Sequence, residues 1–594
     1  IAVFLPMVLS KGFAGQIARP LAMTVCTGLF ASIFVAVTIV PMIASVLFQE
    51  KRNKKNAASA GTGMDRLKKI YAALLVKTLR RKKLVIFASL GIFVLSISLL
   101  YVTGFEFMPP NDVPMVMLNG TLPVGTDLNE TARVADKIGN IFLSLPEKKY
   151  VLEMTGRSSY GDTDAAMGTM PSDVNGFMIM SRLTDLEERD RKTQEISDEL
   201  RKKFPPLSGA VYTFSDMAGS MSGGMSKSPV EIKLFGSDLK KLENYANEIT
   251  GKIKNVKGIR DLEISIQKGK PELRINVNRD KASHFGLRAG TIGEKVKNAF
   301  QGVVAGKYRV GGDDVDIRVR FREADRHTSG DVFNTPLAAA GNSVIELKDV
   351  ASVDSAFGPL KIERENRMRK VTIRANIKDR AIGKVIRDVK KNLSALKFPT
   401  GYFIEYGGTY DQMKSTMKDL GLAFAAALVL IYMIMAAQFE SLTQPFVIMF
   451  TVPLSIIGVM VGLVIMGMSL SVPAMMGVIV LAGIVVNNGI VMIDYVNRLR
   501  NSGAEKYDAL VRAAVTRLRP ILITSLTTIL GVLPMAFSTS QGAEMRAPLG
   551  VAVSCGLVTS TILTLFVVPA LYAVVDRIAR TSSEKINLKL HGGE

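Results

Sequence analysis

The stretch L-A-G-I-V-V-N-N-G-I-V-M-I-D-Y, residues 481–495, decides how the chain is read. It lies in an apolar run from Val472 to Val496, long enough to cross a bilayer as a helix. Asn487 and Asn488 stand side by side at mid-depth, and Asp494 follows about two turns later. An amide in hydrocarbon needs a partner, and intramembrane polar groups face a bundle interior or an ion path. At this point a hydrogen bond that glues two helices together accounts for the asparagines equally well. Asp494 lies where the helix meets a basic segment beginning at Arg498.

Six more apolar runs have spanning length: 20–48, 84–102, 420–437, 446–466, 520–537 and 547–575. The chain is therefore a polytopic membrane protein. Basic residues crowd 49–83, 498–519 and the tail from Arg577. Counting crossings puts all three on one side, the cytoplasmic side. Much of the net charge of +22 is accounted for by these segments, so nucleic acid is not an expected partner. Within 49–83 the first part is Ala/Gly/Ser-rich, and residues 64–79 have the pattern of an amphipathic helix on the membrane surface. Cys26 and Cys555 lie within apolar spans and read as free thiols. The three histidines are far apart and make no metal motif, and no enzyme-type nucleophile, phosphate loop or metal spacing occurs.

Residues 104 to about 418 contain no spanning run and form a large domain outside. Strand and helix patterns alternate as β-α-β-β-α-β over 115–214, and again over 230–266 joined to 370–406. Each has the order of a ferredoxin-like split unit. The second is interrupted by an inserted subdomain with its own helix at 289–300. The fold class is thus an α-helical polytopic bundle plus an α+β outer domain. The divisions are 1–48, 49–83, 84–103, 104–215, 216–269 with 358–410, 270–357, 411–576 and 577–594.

The two ends of the chain repeat one another. Phe4-Leu5-Pro6-Met7 matches Val532-Leu533-Pro534-Met535, and Arg19-Pro20-Leu21-Ala22 matches Ala547-Pro548-Leu549-Gly550. Gly28, Leu29, Ser32 and Val40-Pro41 match Gly556, Leu557, Ser560 and Val568-Pro569, all at the offset that carries Phe4 to Val532. Prolines and glycines kept in step over two spans indicate duplicated halves, a transporter signature. Residues 1–9 then read as the tail of a helix rather than a signal peptide. The repeat leads to the expectation that about 440 residues precede Ile1, with a helix equivalent to 472–496 among them.

Ala437-Gln438-Phe439-Glu440-Ser441, the Asn487-Asn488-Gly489 helix, Arg517-Leu518-Arg519-Pro520-Ile521-Leu522, Thr524-Ser525-Leu526 and the 547–569 segment together resemble the resistance–nodulation–division superfamily, in its hydrophobe/amphiphile efflux branch. The resemblance covers the whole chain. It implies the end of the fifth through the twelfth membrane helix of a homotrimeric bacterial inner-membrane pump, with a periplasmic domain of two porter subdomains and an inserted docking subdomain. It further implies proton-driven export of amphiphilic small molecules, drawn from the membrane lipid or periplasm, with a periplasmic adaptor and an outer-membrane channel as partners and no cofactor. The proton relay it implies involves Asn487, Asn488, Thr524, Arg517 and Asp494. The resemblance implies that the family's proton-carrying aspartates are to be expected on a helix before Ile1. Where many relatives carry a lysine, this chain has Asn487. An asparagine there donates hydrogen bonds to a carboxylate and releases it on protonation.

The substrate cleft is expected between the porter subdomains, beside a Gly-containing loop at 157–173, with Met154, Tyr160, Met167, Phe177, Met178, Met180 and Phe214 as lining. Methionines make adaptable apolar surfaces, and they also ligate Cu(I). The alternative reading is therefore a Cu(I)/Ag(I)-type heavy-metal efflux pump of the same superfamily. A more remote one is a sensing membrane receptor or an enzyme.

Overall fold

The computed structural model describes residues 2–10, 12–47, 62–109, 112–156, 173–205, 208–215, 228–266, 269–340, 343–358, 362–378 and 380–591. The loose part of the basic linker and nearly all of the 157–173 loop, including Tyr160 and Met167, lie outside these residues. Among the described residues, seven helices are long and apolar enough to cross a membrane.

A short helix at Leu5–Leu9 precedes α1 (Gly12–Leu47), which carries Pro20 and Pro41 inside it and is exposed along most of its length. Next come α2 (Thr62–Arg80) and α3 (Lys82–Ser98). Tyr71, Leu75 and Leu79 recur every fourth residue on α2 and are buried together. Beyond α3 the backbone of Phe105 bridges to Leu470, and the Glu106 amide donates to the Leu470 carbonyl at 3.1 Å. At the same junction Lys384 Nζ donates to the Val102 carbonyl at 2.9 Å. Gly104, at φ +75°, lets the chain turn there, where a Cβ would sit 3.2 Å from Ala381 Cβ.

The first outer unit runs β1 (Met115–Thr121), α4 (Leu128–Leu143), β2 (Lys148–Thr155), β3 (Gly176–Leu183), α5 (Thr193–Lys203) and β4 (Val211–Ser215). Asp127 starts α4 by accepting from the Asn129 amide, and Val134, Ile138 and Phe142 give it one buried face. The sheet order is β2-β3-β1-β4 with all neighbours antiparallel, the ferredoxin-like split arrangement.

The second unit begins with β5 (Val230–Phe235), α6 (Leu239–Ile253) and β6 (Ile259–Ile264). It is then interrupted by β7 (Lys270–Val277), α7 (Ala289–Phe300), β8 (Val303–Val310), β9 (Asp313–Val319), β10 (Pro336–Ala340), β11 (Ser343–Glu346) and β12 (Ala351–Gly358). It resumes with β13 (Glu363–Glu365), β14 (Met368–Ile377), α8 (Ile382–Leu393) and β15 (Phe403–Gly407). Strand β14 pairs with β5 on one side and with β6 and β13 on the other, so the split order recurs across the insertion. The inserted part closes through β7 and β12, which run antiparallel from Lys270 opposite Gly358 to Val277 opposite Ala351.

The bundle resumes with α9 (Thr409–Phe439), α10 (Thr443–Met449), α11 (Thr451–Ile465), α12 (Val472–Asn501), α13 (Lys506–Ala536) and α14 (Ala543–His591). Helices α9 and α13 start well before the apolar runs at 420 and 520. Hydropathy locates the spanning part of a helix, whereas its polar extension continues the same hydrogen-bond ladder. Helix α14 carries Pro548 and Pro569 where α1 carries Pro20 and Pro41, the spacing expected of the repeat. Small residues let α11, α12 and α14 approach closely. A Cβ on Gly556 would lie 2.2 Å from Leu481 Cδ2, and one on Gly458 would lie 2.2 Å from the Cys555 carbonyl oxygen.

Candidate transport site in the membrane bundle and the outer sheet

Close packing of α12 against α14 turns Asn488 inward, where it is 6% exposed. Its amide donates to Ser525 Oγ on α13 at 3.2 Å, and Ser525 Oγ is 2.8 Å from Thr561 Oγ1 on α14. Thr561 Oγ1 also lies 2.7 Å from the Leu557 carbonyl of its own helix. When the Thr561 hydroxyl donates to that carbonyl, its oxygen accepts from Ser525, and both hydroxyls then donate and accept. Three helices are thus stitched by neutral groups, which carry no charge into the bilayer core. Thr564 and Ser554 on α14 are also buried, and their hydroxyls have no hydrogen-bond partner among the described residues.

The other expected relay residues take different places. Asn487 and Thr524 are on exposed sides of their helices, and the Thr524 hydroxyl donates back to the Ile521 carbonyl at 3.0 Å. Asp494 pairs with Arg498 at 3.0 Å along the helix. The Arg517 guanidinium lies 4.9 Å from the centre of the Tyr495 ring, with its Nε buried and unpartnered among the described residues. A second polar set lies towards the cytoplasmic end. There Asn497 and Gln444 exchange amide hydrogen bonds, with Tyr572 donating to Asn497 and Arg500 donating to Tyr572. Of the five residues, only Asn488 enters the buried network. Ser525 and Thr561 were not among them. The signal for Thr561 is its spacing from Ser554 and Thr564 on one side of a largely apolar span that also holds Thr559 and Ser560.

In the outer domain, strand alternation sorts the expected cleft residues onto two faces. Phe177 and Phe214 belong to the core beneath α4 and α5, where the Phe214 and Phe204 rings stack at 5.7 Å. Both are therefore core residues rather than residues of the methionine face. Met178, Met180 and Met154 alternate onto the other face. There Met180 stands opposite Met117 on β1, and Met178 stands opposite Met154 on β2 and Asn119 on β1. Residues directly opposite have Cβ atoms about 5 Å apart, so these thioethers form one cross-strand patch. Met117, distant in sequence from the other three, joins it only through the pairing of β1 with β3. Among the described residues, no group of three or more His, Cys, Asp or Glu side chains is placed to hold a metal ion.

The two outer units meet at a crossed set of charges. Arg201 on α5 makes a two-pronged contact with Asp261 on β6, while Asp198 on α5 pairs with Arg260 and Lys378. Asn376 donates to Asp261 at 3.0 Å and to the Phe214 carbonyl at 3.1 Å. The Arg201 guanidinium also lies 4.5 Å from the centre of the Phe214 ring. Partial burial acts to raise the Asp198 pKa, but the hydrogen bonds from Lys378 and Arg260 outweigh it and hold the carboxyl below its ordinary range.

Comparison with known proteins places this architecture. The model of the AcrB/AcrD/AcrF family matches residues 1–576. The cobalt-zinc-cadmium resistance protein CzcA of Cupriavidus metallidurans is 29% identical over 589 residues, which cover 97% of this chain and 54% of the relative. Protein HelA of Legionella pneumophila is 30% identical, covering 96% of this chain and 55% of the relative. The nickel-cobalt-cadmium resistance protein NccA of Alcaligenes xylosoxydans xylosoxydans is 26% identical, with 97% and 54% covered. The chain thus spans about half the length of the curated relatives it matches. A crystal structure of a heavy metal efflux pump superposes with a TM-score of 0.81 at 25% identity, covering 97% of this chain and 56% of that one. The chain belongs to the AcrB/AcrD/AcrF family of the resistance–nodulation–division superfamily and is a multi-pass inner-membrane protein.

Proposed function

We propose that the protein to which this chain belongs is an efflux transporter for heavy-metal cations. The observation that carries this is the kind of relative it matches: two named for cobalt, zinc, cadmium or nickel resistance, and a solved heavy metal efflux pump. These relatives favour the metal reading over amphiphile export, reversing the order reached from the sequence. The cross-strand patch of Met117, Met154, Met178 and Met180 supports it further, because thioethers are soft ligands. They suit Cu(I) and Ag(I) better than the divalent ions in the relatives' names. Three copies, a periplasmic adaptor and an outer-membrane channel belong to the same proposal, by family membership.

Coupling to protons is part of the reading. Asn487 offers an amide on the exposed side of α12. A carboxylate from a facing helix accepts from it when charged and lets go when protonated. Asn488, Ser525 and Thr561 hold α12 in position for that exchange.

The test is resistance conferred by the full-length protein on a host lacking its own metal efflux. Growth is scored against cobalt, zinc, cadmium, nickel, copper and silver salts and against amphiphilic dyes. Protection against metals alone is expected, and protection against dyes alone sinks the proposal. Replacing Met178 and Met180 together by leucine is expected to lower copper and silver tolerance about tenfold. Unchanged tolerance removes the thioethers from the site and leaves the divalent ions as substrates.

A further inference from the structure

We propose that α2 is a binding surface for anionic phospholipid on the cytoplasmic leaflet. The proposal rests on the membrane reading of the chain and not on its transport substrate.

Helix α2 has three faces. One is turned into the protein: Tyr71, Leu75 and Leu79 are buried, the Tyr71 ring meets Phe566 edge-on at 5.5 Å, and its hydroxyl donates to the Leu565 carbonyl at 2.8 Å. The second face is apolar and open. Leu67, Ile70 and Leu74 lie a third of a turn round from the buried stripe and are 42%, 51% and 48% exposed. The third is basic, with Arg66, Lys69, Lys77 and Arg80 exposed along the helix and Arg81 and Lys83 exposed just after it. Among the described residues, none of these six cations is in an ion pair, and Asp65 is the one acid between Thr62 and Lys83.

The depth of the helix follows from what it touches on α14. Leu565 lies between Thr561, which bonds Ser525 in the bundle core, and Ala573, whose carbonyl accepts from Lys506 at the cytoplasmic end of α13. It is eight residues from Ala573, roughly 12 Å along a helix. Lys82 fixes the far end of the segment by donating to Tyr507 at 3.0 Å. An apolar stripe flanked by cations at this level matches acyl chain beside phosphate headgroup, the arrangement of an interfacial helix. Lysines and arginines without acidic partners favour headgroups with net negative charge over zwitterionic ones.

The chain contains no tryptophan, so Leu67→Trp installs a reporter on the open stripe. The full-length protein, with any tryptophan outside this chain replaced by phenylalanine, is reconstituted in vesicles of phosphatidylcholine and phosphatidylglycerol. One lipid at a time carries brominated acyl chains. Bromination of the anionic lipid is expected to quench the reporter about threefold more strongly than the same mole fraction of brominated phosphatidylcholine. Replacing Arg66, Lys69, Lys77 and Arg80 by glutamine is expected to abolish the difference. Lys69→Arg with Lys77→Arg is expected to keep it. Equal quenching by both lipids overturns the proposal, because the helix then lies on the bilayer without selecting charge. Absence of quenching by either lipid also overturns it, because the open face is then covered by protein.

Discussion

Two places in the molecule join separately packed elements through polar side chains, and they use different chemistry. The seam between the outer units is ionic: Asp198 and Arg201 of one unit meet Arg260, Asp261 and Lys378 of the other. The junction of α12, α13 and α14 is neutral, built from Asn488, Ser525 and Thr561. Most of the seam charges retain water, with side chains of Asp198, Arg201 and Arg260 23%, 28% and 32% exposed, so their desolvation is partial. In the bilayer core no water is at hand, and an ion there is far more expensive than an amide. The seam also mixes its signs, each unit giving charges of both kinds, so a misaligned approach brings like charges together. The neutral junction has no such register and relies on glycine-scale packing to bring its three helices close.

The comparison breaks most visibly at Asp261. Its side chain is 8% exposed and accepts from Arg201 and Asn376, and its backbone has φ +49°. Asp261→Ala strands a partly buried guanidinium and places alanine in the left-handed region, so a loss of roughly 3 kcal/mol is expected in denaturant unfolding of the outer domain. Asp261→Asn tolerates that backbone and is expected to lose less. If both variants unfold with the natural protein, the seam contributes nothing to stability. In the bundle, Ser525→Ala is expected to cost about 1 kcal/mol, and its coupling to Thr561→Val about 0.6 kcal/mol in a double-mutant cycle. A coupling of zero means that the two hydroxyls do not bond.

The smallest effect concerns pH. In the second unit, hydrogen bonds from Lys233 and then Lys370 depress the Glu365 pKa from 4.5 to about 2. A depressed carboxyl stabilises the fold above its unfolded pKa and loses that contribution as pH falls through the folded one. Melting temperatures of the natural protein and Glu365→Gln are therefore expected to differ most above pH 5 and to converge towards pH 2. Asn488, Ser525 and Thr561 carry no titratable side chain, so the Ser525→Ala deficit is expected to be the same at every pH tested. A deficit that changes with pH implies a charge at the junction.

Spans, split units and insertion are legible in the sequence because each depends on local periodicity or on the order of elements. The repeat is legible because prolines and glycines mark helix positions that apolar residues do not. Which side of a strand faces the core is less so. In Gly176-Phe177-Met178-Ile179-Met180 every side chain after the glycine is apolar, so alternation alone does not separate Phe177 from Met178. Pairing with β1 and the helices above it settle the matter. The partner of Asn488 is hidden for a similar reason. Thr524 and Ser525 are neighbours in sequence, but a helix turns about 100° per residue, and the rotation of α13 that presents Ser525 is set by tertiary packing.

The bridge between Phe105 and Leu470 ties the loop leading into α12 to the segment that leaves α3. Its first turn follows Leu470 directly, and Asn488 lies 16 residues beyond Val472, roughly 24 Å along a straight helix. At the bridge, the segment leaving α3 is held by α12's leading loop on one side and by Lys384 of the second outer unit on the other. The start of α12 and the foot of that unit are therefore joined through one short stretch of chain, residues 102–107.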